Sequence, residues 1–221
     1  MAKFAIQNFN NGDNLIDYLI SLDTRFAKIS ATELSFDNKV NIVFSWSGDS
    51  LHCEVKVNDT VLYNGTYAYN FTSAPNFRMV YAIGESFISI RTIRNNYNDR
   101  IHSVFIAVDD SGKVYAGGGA GAWGSTYIYT SGNPYNTKIY PVDDLATPYY
   151  FIKMFDYKSP PGKLTIAQMQ PLSSMAGDLL SFTTGLYTCS TVPVNSTVVI
   201  MGDTFFALDT NTLIKMDMSE D

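Results

Sequence analysis

Residues Gly119-Ala120-Gly121-Ala122-Trp123-Gly124 spell G-x-G-x-x-G, the spacing that lets a backbone turn close against a pyrophosphate. Lys113 to Ala116 ahead of it reads as a strand, as that chemistry requires. The motif works only where a helix follows and sets its N-terminus under the phosphates. Here Ser125-Thr126-Tyr127-Ile128-Tyr129 follows and ends at Ser131-Gly132-Asn133-Pro134, which is strand and turn chemistry. Asp143 and Asp144 stand near the place of the ribose-binding acid, but no βαβ unit carries them. Nucleotide binding is therefore not expected, and without a lysine after the glycines a P-loop fails outright.

His52 and His102 are the two histidines, and neither sits in a metal-ligand spacing. Asp109-Asp110 and Asp143-Asp144 offer carboxylates for calcium, without the spaced ligands of an EF-hand loop. In such turns an aspartate ordinarily bonds its own backbone. No nucleophile elbow or cysteine-family signature marks a catalytic group. No catalytic residue, metal ligand or cofactor is expected, and no enzyme.

What remains is surface chemistry. Trp123, Tyr127, Tyr129 and Tyr135, with Tyr140 beyond them, cluster among glycine and asparagine between residues 117 and 148. Tyrosine and tryptophan give large contact areas at small entropic cost, and Ser, Gly and Asn adapt their hydrogen bonds around them. Trp123, Tyr127, Tyr129 and Tyr135 are the expected interface residues, gripping a protein neighbour or stacking on sugar rings. The alternative is an Ω-loop whose aromatics pack on their own domain.

Composition narrows the partners. The chain has 221 residues, 46% hydrophobic and 16% charged, with a net charge of −6. That is globular rather than disordered. No segment concentrates Lys and Arg, so nucleic acid and anionic membrane surfaces are not expected partners. No apolar run reaches the roughly 18 residues of a spanning helix, and Met1 to Asn8 shows no secretory h-region. Synthesis in the cytoplasm follows, with Cys53 and Cys189 reduced. The sequons at Asn58, Asn64, Asn70 and Asn195 then carry little weight.

Fifteen Tyr and fourteen Phe beside few long charged side chains favour strands. The expected fold is mainly β, an antiparallel β-sandwich or barrel-like meander with one N-terminal α-helix. Leu15, Leu19, Leu22, Phe26 and Ile29 step by four and three from an Asp13 cap, predicting that helix. Leu51, Cys53, Val55 and Val57 alternate with polar residues, predicting a half-buried strand after Val40 to Trp46. Turns are expected at Asn58-Asp59, Asn64-Gly65, Gly84-Glu85, Asp109 to Gly112 and Gly202-Asp203. The chain divides into 1–116, helix plus meander; 117–148, a Gly/aromatic-rich loop region; and 149–221, C-terminal hairpins packed on the first part.

The texture of the chain resembles that of tailed-bacteriophage virion proteins of the neck, tail or baseplate. The likeness rests on low charge, short Asn/Thr/Tyr-rich strands and the close Val198-Val199-Ile200-Met201-Gly202-Asp203-Thr204-Phe205-Phe206-Ala207-Leu208-Asp209. It implies a non-enzymatic structural component of the virion, made in the host cytoplasm, whose partners are copies of itself and other virion proteins. A carbohydrate- or receptor-binding module of a tail fibre, with a surface glycan as partner, is the first alternative. A hydrolase without a sequence signature is the second.

Overall fold

The computed structural model describes residues 3–9, 15–47, 50–68, 77–85, 87–94, 101–121, 138–151, 164–171, 180–189, 192–193, 196–207 and 212–216. The chain begins with β1 (Lys3–Phe9), α1 (Leu15–Leu22), β2 (Phe26–Lys28), β3 (Glu33–Phe36), β4 (Val40–Ser47), β5 (Ser50–Val57) and β6 (Thr60–Ala68). Next come β7 (Phe77–Ile83), β8 (Phe87–Arg94), β9 (Ile101–Val108), β10 (Val114–Gly121), β11 (Lys138–Pro141) and β12 (Tyr149–Phe151). The end holds β13 (Leu164–Pro171), β14 (Leu180–Cys189), β15 (Thr197–Ile200), β16 (Asp203–Ala207) and β17 (Thr212–Lys215).

The strands form two antiparallel sheets. The larger runs β1-β7-β8-β9-β10-β11-β12-β13-β14-β17-β16-β15, and the smaller β2-β3-β4-β5-β6. The mainly-β fold with one N-terminal helix is as expected. Among the described strands both sheets are open, with β1 and β15 at the ends of the larger, so the barrel-like alternative falls and the layered one stands. Helix and small sheet are an insertion: the chain leaves β1, builds both, and returns in β7 beside β1.

One core lies between the layers. Leu34, Phe36, Ile42, Phe44, Cys53 and Val55 of the small sheet meet Met79, Tyr81, Ile88, Ile90, Val104 and Ile106 of the large one. The predicted alternation in β5 holds, with Leu51, Cys53, Val55 and Val57 buried and His52, Glu54 and Lys56 between them only partly so. Over β8 to β10 the large sheet is also buried on its second face, where Phe87 stacks on Phe105 at 6.1 Å and Tyr115 meets Tyr149 edge-on at 5.5 Å. Ser89 shares that face, fully buried, its hydroxyl without a hydrogen-bond partner.

Four expectations need correction. The helix stops at Leu22, not Ile29. Asp23 accepts bonds from the amide, Nε and Nη2 of Arg25, whose Nη2 and Nη1 also donate to the carbonyls of Gly84 and Glu85, and this local chemistry ends the helix. Leu19 and Phe26 are buried as expected, but Phe26 arrives from β2, edge-on to Phe36 at 5.6 Å, and Ile29 is exposed. The proposed Asp13 cap lies outside the described residues.

Asn64-Gly65 is not a turn. Both residues sit inside β6, opposite Glu54 and Cys53, because the regular pattern of β5 holds a partner along its whole length. The third correction moves the hairpin turn after β15 to Met201-Gly202, with Ile200 opposite Asp203. Both turn residues have positive φ, as a type I′ turn requires. Asn58-Asp59 is such a turn at the expected place, with φ of 46° and 65°.

The fourth concerns the glycine-rich segment. Gly117 to Gly121 are not loop but the second half of β10, paired residue by residue with β9. Gly118 faces the small sheet, and a Cβ there would stand 2.8 Å from the Tyr63 ring of β6. Glycine is what lets the layers approach this closely. The motif glycines Gly119 and Gly121 pair with Ser103 and Ile101 in an antiparallel ladder, which removes the basis for a phosphate-binding turn. Tyr140 lies in β11, partly buried.

Candidate functional site

Three tight turns converge at one end of the sandwich. Asp37-Asn38-Lys39 joins β3 to β4, with Lys39 N–H donating to the Phe36 carbonyl at 2.9 Å. Asn58-Asp59 joins β5 to β6, and residues 109 to 113 join β9 to β10. Beside them Val142-Asp143 leaves β11, where Val142 N–H bonds the Val114 carbonyl at 3.0 Å. Between these turns lies an open groove of about 600 Å³. Its polar lining is Asn38, Lys39, Asn58, Ser111, Lys113 and Asp143, and its apolar part is Val57, Val114 and Val142. Val57 and Val114 also belong to the core, so the groove floor is the top of the sandwich.

Asp109 fixes one wall. Its carboxylate accepts from the Ser111 amide at 2.9 Å, the Ser111 hydroxyl at 2.6 Å, the Lys113 amide at 3.0 Å and the Tyr115 hydroxyl at 2.9 Å. Burial by itself would raise the Asp109 pKa, but these donors outweigh it and hold the carboxyl below its usual range. Burial, then the bond to Asp109, pushes the Tyr115 phenol upward, so it stays a donor. Asp143 pairs with Lys113 at 3.3 Å, and Asp144 accepts from the Ala146 amide at 3.2 Å. Of the aspartates considered for calcium, Asp109 and Asp144 thus bind their own turns and Asp143 a lysine, as turn aspartates do. Among the described residues no His, Cys, Asp and Glu gather in a group able to hold a metal ion.

The outer face of the small sheet is a polar ladder. His52 Nδ1 lies 2.9 Å from Thr66 Oγ1, and its Nε2 lies 3.8 Å from Glu54. Lys56 sits 3.4 Å from both Glu33 and Glu54. Desolvation pulls the Lys56 pKa down, yet the two carboxylates prevail and raise it. His102 belongs to β9 of the other sheet, opposite Ala120, so the fold does not set the histidines on one strand pair. Burial, with the nearby Glu54 charge, pushes the Cys53 thiol far up, and Cys53 is free. It is a packing residue rather than a nucleophile.

A second surface of interest is the end of the large sheet. β15 pairs with β16 alone among the described strands. Val198 and Ile200 pack against the small core of Phe205, Ala207 and Leu213, while Val199 is 69% exposed and Met201 96% exposed.

The expected interface residues Trp123, Tyr127, Tyr129 and Tyr135 lie outside the described residues. Sequence reasoning missed Asn38 and Lys39, although an Asp-Asn pair between two apolar runs is a turn signal like the one recognised at Asn58-Asp59. Nothing in the sequence places those turns beside Ser111 and Asp143. Comparison with family models, curated proteins and solved structures finds no match in any of the three.

Proposed function

We propose that the chain is a non-enzymatic structural component, of the phage-particle kind its sequence texture resembles, and that it acts by self-association through the β15 edge. The observation that carries this reading is the uncharged edge run Thr197 to Gly202, with Val199 and Met201 in solvent. An edge strand presents unpaired amides and carbonyls, and natural proteins ordinarily blunt such edges with lysine, proline or a bulge. This one has none of the three.

The partner that fits is a second copy. Antiparallel pairing about Val199 sets Val198 opposite Ile200 and Thr197 opposite Met201, so no like charges meet across the twofold. The net charge of −6 on each copy opposes the approach, and added salt screens that repulsion. Sedimentation velocity on the full chain should show reversible association that strengthens with salt. Val199→Lys should abolish it while leaving the thermal melt in place. A chain that stays monomeric up to about 1 mM, where a contact of about −4 kcal/mol already registers, overturns the proposal.

The carbohydrate-binding alternative draws support from a different feature, the groove at the hairpin tips.

A further inference from the structure

We infer that the groove between the hairpin tips is a binding site for one ring of a carbohydrate, neutral or carrying a single carboxylate. The site does not depend on β15 and stands whether or not the chain self-associates. Its volume, about 600 Å³, falls among small-molecule sites, which run from about 300 to 1,000 Å³.

The lining selects the class. The Asn38 and Asn58 amides and the Lys39 ammonium line the groove and have no side-chain partner among the described residues. Each amide sets a donor beside an acceptor, which matches a pair of neighbouring hydroxyls. The Ser111 hydroxyl gives its proton to Asp109 and keeps its lone pairs for an incoming O–H. Asp143 adds an acceptor, Lys113 a donor, and half-buried Val142 an apolar contact for the C–H face of a sugar ring. Six polar residues argue against a wholly apolar ligand. Asp37, Asp59 and Asp110 on the same turns argue against a polyphosphate or sulfated chain, while Lys39, unopposed within the lining, accommodates one carboxylate.

The walls are set before any ligand arrives. Asn38 and Asn58 hold φ of 54° and 46°, a left-handed conformation that asparagine adopts more readily than most residues. Three bonds to Asp109 fix Ser111 and the Lys113 backbone. Preorganised groups lose little freedom on binding, which favours a weak-binding class such as sugars.

The test uses the labelled full chain on an array of neutral, N-acetylated and singly acidic mono- and oligosaccharides, followed by titration with the strongest glycan. Asn38→Gly and Asn58→Gly keep the left-handed turns and remove only the amides, and Lys39→Ala removes the ammonium. Each should weaken glycan binding about tenfold, the equivalent of one hydrogen bond's 1.4 kcal/mol, with an unchanged thermal melt. Val199→Lys should leave glycan binding intact. No glycan bound by the wild-type chain, binding that survives all three substitutions, or saturable binding of ATP in place of glycans would each overturn the inference.

Discussion

At one end of the twelve-stranded sheet, β7 to β10 lay Met79, Ile90, Val104 and Ile106 against a second sheet. At the other, β15 to β17 gather Phe205, Ala207 and Leu213 into a core of their own, and the last strand keeps Val199 in solvent. The first region spends its sequence on closure, down to a glycine that admits the Tyr63 ring. The second leaves an edge open. Substitutions should therefore be costly in the first region and nearly silent for stability in the second, where an effect shows only in what the surface contacts.

The largest expected effect is Phe36→Ala. The ring is fully buried, packs edge-on against Phe26 and carries the Arg25 guanidinium 5.1 Å above it. Its loss should cost about 3–5 kcal/mol in denaturant unfolding. A cost under 1 kcal/mol would mean the two layers are not one packed core.

Gly118→Ala comes next, at about 1–3 kcal/mol, because the new methyl meets the Tyr63 ring. In a double-mutant cycle Tyr63→Gly, which removes the Tyr63 Cβ at 2.9 Å together with the ring, should relieve most of that penalty. Additive costs would show that the close approach of β10 to β6 is not what glycine serves.

Asp109→Asn should cost about 1–3 kcal/mol, since four donors converge on the carboxylate. The folded carboxyl titrates below its unfolded value, so its contribution is present above a pH of about 4 and is lost as the pH falls through the folded pKa. Stability of the Asn variant against acid should be correspondingly flatter.

Cys53 gives a pH effect of opposite sense. Its folded pKa is raised, so above a pH of about 8.5 the unfolded chain releases a proton that the folded chain keeps, and stability falls. The limiting slope is about 1.4 kcal/mol per pH unit. Between pH 8.5 and 10, Cys53→Ala should remove that slope; an unchanged profile would mean the thiol is accessible.

Smallest is Val199→Lys, at under about 0.5 kcal/mol in the monomer. A cost of 2 kcal/mol would place β15 among the closed strands and erase the contrast between the two ends.

The same contrast explains what could be read from sequence. Local signals worked: the alternation of Leu51 to Val57 and the Asn58-Asp59 turn are written in consecutive residues. They failed where the determinant lies far along the chain. Gly118 reads as loop because the reason for its glycine, Tyr63, is more than fifty residues away. Phe26 fits a helical stripe as well as a strand, and only Asp23 and Arg25 decide between them. The groove was invisible for the same reason, since its turns come from four separate places.

The insertion of the small sheet between β1 and β7 also has a temporal side. Strands β2 to β6 are joined to one another by short hairpins, whereas Phe9 pairs with Phe77 and Lys3 with Ile83, across 68 and 80 positions (77 − 9 and 83 − 3). Loop closure over that distance is slow, and local pairing is fast. As the chain leaves the ribosome, β1 emerges before β2 to β6 yet has no neighbour until β7 follows, so it docks after strands made later than itself. Pulse-labelled hydrogen exchange should find the amides of residues 33–57 protected before those of residues 3–9. Simultaneous protection would mean that the two sheets form as one cooperative unit.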